Sequence, residues 1–231
     1  MVKKYKLYMK LLSDAIIASD KGYGAIIDTD VVFDEVGLPY IPAKRLKGVL
    51  KESAEILSNI FKQAGINFNI DIYDIFGSQG NVSLETEAKF IVPNLYIEEY
   101  EKTRDFFHLL FSDELNGNTN RSQFKILKED VIDFFTNARM HTAIDSELGK
   151  TKKHSLRSTR VINKNTVFSN SFQIDEKYIN QLIYICNAAK NIGSKRNRGF
   201  GEVKFYVKDE NGQEIKPISL HWIIFNLNNL T

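Results

Sequence analysis

One cysteine in 231 residues, Cys186, excludes any disulfide within the chain and denies a structural zinc its thiolates. It lies in the apolar run YINQLIYICNAAK and is expected in the core. No apolar run is long enough to span a bilayer, and MVKKYKLYMKLL carries its lysines inside its apolar pattern rather than ahead of it, unlike a signal peptide. These absences point to a cytoplasmic protein that engages no membrane. There is no HExxH, no cysteine pair, no Walker-type GKS or GKT loop and no GxSxG elbow, which argues against zinc proteases, nucleotide hydrolysis and serine hydrolases. An excess of one charge sign is lacking too: 31 Lys and Arg against 29 Asp and Glu leave a net charge of +2. What the chain does have is 43% hydrophobic residues, enough for a real core.

The charge that is present is unevenly placed. Acidic residues gather at 97–105 and 128–133, on the solvent faces of helical patterns. Residues 139–164 instead hold Arg139, Lys150, Lys152, Lys153, Arg157, Arg160 and Lys164 against Asp145 and Glu147, a positive patch. The densest signal is GSKRNRGFG at 193–201, where Ser194, Lys195, Arg196 and Arg198 sit among three glycines ahead of EVKFYV. Glycine brings backbone N–H groups close to a ligand, and guanidinium forks fit phosphate oxygens. A phosphate chain is the expected partner; an ordinary turn with solvated charges is the alternative.

Periodicity gives the element order. Residues 5–12 alternate as a half-buried strand, and 25–42 read as extended segments ending at two prolines. Helical spacing starts at Ala43 after Pro42, with Leu46, Val49, Leu50, Ala54, Leu57, Ile60 and Phe61 on one side. A strand is expected within 86–95, helices over 98–115 and 128–138, and a hairpin of strands 155–162 and 166–174 joined by NKN. Asp175 should cap a helix running to about residue 191; strands follow at 202–208 and 218–223. This order predicts an α+β, ferredoxin-like (RRM-like) antiparallel sheet with helices on one face. It is read as a single domain, 1–231, with insertions at about 66–94 and 139–164.

GLPYIPAKRLKGVLKESAE at 37–55, IFG at 75–77, RMHTAIDSELGKTKKHSLRSTRVINKNTVF at 139–168 and GSKRNRGFGEVKF near the end together resemble the RAMP superfamily of CRISPR proteins. Within it, AIIDTDVVFDEVGLPYIPAKRLKG looks most like the large subunits of type III-D effectors that cap a complex and hold the guide's 5′ handle. The resemblance implies a subunit of a type III RNA-guided antiviral effector, with guide CRISPR RNA, complementary target RNA, other effector subunits and copies of itself as partners. It assigns RNA contact to Lys44, Arg45, Lys47, Arg139, His141, Lys152, Lys153, His154, Arg157, Arg160, Ser194, Lys195, Arg196 and Arg198. Lys44, Arg45 and Lys47 crowd a helix start whose N–H groups and dipole favour an anion. Tyr23, Tyr40 and Phe200 are candidates for stacking on bases, with packing as the alternative.

In the RAMP backbone subunits that cut target RNA, a loop aspartate at the position of Asp28 works with a divalent metal. That makes Asp28 the catalytic and metal-binding candidate here, with Mg²⁺ as the cofactor if the chain cuts. Asp30 departs from the backbone-subunit pattern, and Asp28, Asp30 and Asp34 are equally readable as turn formers. A non-catalytic cap or scaffold is one alternative. A guide-processing ribonuclease using His141 or His154 as base is another, with His108 and His221 read as structural. A protein-binding module that never meets RNA is the third.

Overall fold

The computed structural model describes residues 1–19, 27–77, 88–115, 126–142, 150 and 155–217. Their order is β1 (Val2–Leu11), β2 (Tyr40–Ile41), α1 (Ala43–Gln63), α2 (Ile72–Phe76), β3 (Leu95–Ile97), α3 (Tyr100–Leu115), α4 (Lys128–Phe135), β4 (Thr136–His141), β5 (Arg157–Ile162), β6 (Val167–Asp175), α5 (Glu176–Ala188) and β7 (Val203–Lys208). The fold is α+β, as expected. Its main sheet runs β2-β3-β6-β1-β7 with every neighbouring pair antiparallel, and β4 and β5 form a separate two-stranded sheet.

The alternation of β1 decides which face is buried. Tyr5, Leu7, Met9 and Leu11 point into one core, joined by Phe168 and Phe172 of β6 and Val203, Phe205 and Val207 of β7. Over this face lie α1, through Leu46, Leu50, Ala54 and Phe61, and α5, through Leu182, Ile183, Ile185 and Cys186. Each buried aliphatic side chain contributes about 1.5–3 kcal/mol. Burial pushes the Cys186 thiol up to about 12, so it is a packing residue. Asp175 caps α5 by accepting the N–H of Lys177 at 3.3 Å.

The structure departs from the sequence reading in several elements. Strand β5 does not form a hairpin with β6. It pairs with β4, while its Ile162 exchanges hydrogen bonds of 2.8 and 3.0 Å with Ala15. The helix expected over 128–138 ends at Phe135, because Thr136 turns to φ −136° and begins β4. The strand expected within 86–95 is irregular over 88–94, and β3 begins only after Pro93. The strand expected at 218–223 lies outside the described residues.

Candidate nucleic-acid interface

The glycine-rich loop leaves α5 and is pinned by backbone contacts before any side chain acts. Ser194 N–H donates to Ile16 O at 2.9 Å, and Ile192 N–H donates to Gly201 O at 2.8 Å. Glycine is required where these contacts are closest: a Cβ on Gly193 would stand 2.3 Å from Ile16 O, and one on Gly201 1.9 Å from Ile192 O, with both at positive φ. Lys195 takes the left-handed region at φ 55°, and a single 3-10 turn, Arg196–Arg198, follows. Arg196 and Arg198 are exposed there, while Lys195 is half-buried.

Across from the loop, α1 supplies the other wall of a groove of about 580 Å³, lined among others by Glu52, Ser53, Lys190, Asn191, Lys195 and Arg198. Arg196 crosses it to pair with Glu52 at 2.9 Å, while Arg198 has no ion pair among the described residues. Lys190 was not singled out from sequence, because it ends the apolar run YINQLIYICNAAK; it lies just beyond α5.

Lys44 and Lys47, in the first turns of α1, are exposed and unpaired among the described residues, but helical spacing sets them on a different side of α1 from the groove-lining Val49, Glu52, Ser53 and Ile56. Arg45 turns back instead and donates to the Ala18 carbonyl. The first turn holds no acidic residue, and the Ala43 N–H is taken at 2.7 Å by the Asn94 side chain, so part of the helix start is capped internally.

The β4–β5 hairpin touches the glycine-rich loop without lining the groove. Lys195 Nζ donates to Thr159 Oγ1 at 3.3 Å. His141, opposite Arg157, lies edge-on to Phe200 with centroids 6.2 Å apart. Burial first, then the charges of Lys195 and Arg198, hold His141 below the ordinary histidine range, and its Nε2 has no hydrogen-bond partner among the described residues. Arg157 is exposed and forms no ion pair among the described residues. Arg139 points to Asp14 at 2.6 Å. Arg160 is turned inward: Nε stands 3.2 Å from Asp30 as an ion pair without a hydrogen bond, and Nη1 reaches Asp133 at 2.9 Å.

Asp28 meets this assembly on β5. Its Oδ2 accepts the Ser158 N–H at 2.7 Å, and its own N–H donates to Ser158 O at 3.1 Å, leaving the carboxylate exposed. Three neighbouring residues of one strand therefore receive three of the candidates: Ser158 holds Asp28, Thr159 receives Lys195, and Arg160 meets Asp30. Asp34 is a turn former whose Oδ1 accepts the N–H groups of Val36 and Leu38 at 3.0 and 2.8 Å. Among the described residues no group of three His, Cys, Asp or Glu is placed to hold a metal. The exposed carboxylate of Asp28 fits a Mg²⁺ ion whose other ligands are phosphate and water, the usual Mg²⁺ arrangement in phosphate chemistry.

Of the remaining candidates, Lys152, Lys153, His154, Tyr23 and His221 lie outside the described residues. Tyr40 stacks on Tyr96 in the main sheet, away from the groove. His108 is exposed and stands 3.0 Å from Glu35.

The groove, with Lys190, Lys195, Arg196 and Arg198 against Glu52, is a cationic cleft on an α+β sheet scaffold, chemically suited to holding a polyanion. The chain belongs to the RAMP superfamily, whose family model matches residues 8–204. Among solved structures it is similar to a chain of "Type III-B Cmr-beta Cryo-EM structure of the Apo state", at 15% identity and TM-score 0.60, covering 93% of this chain and 98% of that one. It is also similar to a chain of "Cryo-EM structure of the Type III-B Cmr-beta bound to cognate target RNA", at 16% identity and TM-score 0.56, covering 87% and 96%. A search of the curated proteins finds no match.

Proposed function

We propose that this protein is a guide-RNA-binding subunit of a type III RNA-guided effector complex, working in the cytoplasm with guide CRISPR RNA, complementary target RNA and neighbouring subunits, copies of itself included. The observation that carries the reading is the groove between α1 and the glycine-rich loop, in which Lys190, Lys195 and Arg198 are unclaimed by any carboxylate among the described residues, with β5 tied to the loop through Lys195 and Thr159. RAMP membership and the type III-B neighbours support it, as does the succession β1, α1, β3, β6, α5, β7, which fits a ferredoxin-like core.

In this role the cations take successive phosphates, and His141 and Phe200 supply ring surface beside them. Nothing in the groove reads base edges; base pairing with the guide selects the target. Arg160, Arg139 and Arg45 act by fixing the walls rather than by meeting RNA first, since each guanidinium already has a protein partner. Lys195→Ala with Arg198→Ala is expected to weaken binding of a labelled single-stranded RNA, measured by anisotropy. It should lower the slope of log affinity against log salt by about 1 for each phosphate that is no longer neutralised. An unchanged affinity and slope would reject the groove as the RNA site.

A second activity, cutting of bound target RNA, is favoured by one observation: Asp28 is exposed, fixed by Ser158, and one residue from the strand position that receives Lys195. Asp28 would hold Mg²⁺ together with a scissile phosphate, and the bound ion supplies charge compensation at that phosphate. The Ser158 N–H aims the carboxylate, and Lys195 and Arg198 hold the strand in place. Asp28→Ala should abolish cutting of complementary RNA by the assembled complex in Mg²⁺ while leaving affinity within about twofold, a split between chemistry and binding. Metal-dependent cuts that persist in the variant would exclude Asp28. A wild-type complex that binds but never cuts would fit a cap or scaffold.

A further inference from the structure

The face of the main sheet opposite α1 and α5 carries a second array that the groove does not use. On β1 the outward residues are Lys4, Lys6, Tyr8 and Lys10, and on β7 they are Lys204, Tyr206 and Lys208. The register sets Lys6 directly against Lys208, Tyr8 against Tyr206, and Lys10 against Lys204. Like charges directly opposite on neighbouring strands destabilise a sheet, and here two such pairs flank one aromatic pair. Neither strand contains an acidic residue, and among the described residues none of these five lysines forms an ion pair. Carboxylates lie at the edges of this face: Glu214 stands across from Lys208 in an isolated β-bridge, Glu99 is paired with Lys102, and the charges of Glu98 and Glu214 act on Tyr206.

Between the lysine pairs, Tyr8 and Tyr206 stack with centroids 4.8 Å apart and planes 7° from parallel. Lys6 lies 5.1 Å and Lys208 5.0 Å from the Tyr8 ring centre, which concentrates positive charge on the aromatic platform. Towards the other edge, Tyr8 faces Ser169 and Lys6 faces Ser171 on β6, and Ser169 in turn faces Tyr96. Tyr96 is stacked on both Tyr40 and Tyr100. Aromatic rings, hydroxyls and lysines thus cross the strands in one continuous band.

We propose that this band is a second nucleic-acid site, which takes an unpaired stretch of RNA by stacking bases against the Tyr8–Tyr206 pair and setting phosphates against the opposed lysines. A polyanion removes the repulsion across β1 and β7, and every base has a face that stacks on tyrosine. Lysines spaced two residues apart along a strand lie roughly 6.8 Å from one another, a separation comparable to the phosphate step of an extended single strand. The helices separate this face from the groove, so the site goes beyond the guide-binding reading and stands or falls by itself.

The test uses the full chain and a fluorescein-labelled 20-nucleotide oligouridine, its duplex with oligoadenosine, and polyglutamate. The variants are Tyr8→Leu with Tyr206→Leu, which keeps apolar volume, and Lys6→Gln with Lys208→Gln, which removes repulsion and so spares the fold. Thermal melts of both variants check that the fold is retained. Each variant is expected to weaken oligouridine binding on the order of tenfold. The single strand should quench tyrosine fluorescence of the unaltered protein and the duplex should not. Equal affinity in both variants, or no preference for single strand over duplex, overturns the proposal. Polyglutamate binding that matches RNA and falls in the same variants overturns it in favour of an acidic protein partner. Arg198→Ala, tested alongside, keeps the two sites apart: weakened binding with Arg198→Ala alone supports only the groove, and weakened binding with the tyrosine variant alone supports only the sheet face.

Discussion

Asp30→Ala is expected to lower folding stability by about 3 kcal/mol, read as a fall in the urea midpoint at constant slope. Asp30 is only 4% exposed, its Oδ1 accepts the Val31 N–H at 2.8 Å, and the same oxygen lies 3.2 Å from Arg160 Nε. Arg160 is itself 16% exposed, so deleting the carboxylate strands a guanidinium with little water to replace it. Its other carboxylate partner, Asp133, is 74% exposed and offers little compensation, and Thr136 Oγ1 accepts from Nη1 at 3.3 Å without a charge. Asp133→Ala therefore serves as the control and should cost less than about 1 kcal/mol. Similar losses for the two variants would show that Arg160 is anchored from outside, not from the buried aspartate. The consequence reaches the groove, because Arg160 belongs to the strand on which Thr159 receives Lys195 and Ser158 holds Asp28.

Gly201→Ala should cost about 3 kcal/mol, since both a positive φ and a backbone collision oppose the side chain. At φ +74° the new Cβ would meet Ile192 O at 1.9 Å, and neither group can retreat. Gly201 N–H is bonded to Asp14 O and Gly201 O to Ile192 N–H, each at 2.8 Å. Gly199→Ala isolates the dihedral cost, because Gly199 also has positive φ, at +81°, but a Cβ there would meet no atom within 4 Å. Its expected loss is about 1–2 kcal/mol. A Gly201 variant as stable as the Gly199 variant would mean that the loop is not clamped between Asp14 and Ile192. Both comparisons are read from thermal or urea unfolding of the purified chain.

Local signals carried much of the fold in the sequence. The strand alternation of β1, the apolar stripe of α1 and the Asp175 cap of α5 each depend on neighbours a few residues away, and each forms as expected. The partner of β5 was not legible for the opposite reason. The short NKN turn suits a hairpin with β6, whereas β4 shows no alternation, with Thr136 buried and the four residues after it exposed. The pairings of Ile162 with Ala15 and of 158–160 with Asp28 and Thr29, all far apart in the chain, direct β5 away from the main sheet.

The same limit applies to the site. The glycine-rich loop stood out by composition, but sequence treats every arginine as available. It could not tell Arg160, held by Asp30, from Arg157, which is unpaired among the described residues. The lysine and tyrosine face shows the complementary failure. Half of it is visible in β1, but its meaning depends on β7 lying in register beside it, nearly the length of the chain away.

The central claim is that RNA runs through the groove between α1 and the glycine-rich loop. The most direct measurement is photo-crosslinking of 4-thiouridine RNA to the complex, with the attached residues mapped by mass spectrometry. Attachment within 190–198 and 49–56 is predicted, accompanied by Tyr8 or Tyr206 if the sheet face also binds. Attachment confined to the sheet face or to the surfaces of α3 and α4, with none in the groove, would contradict the account.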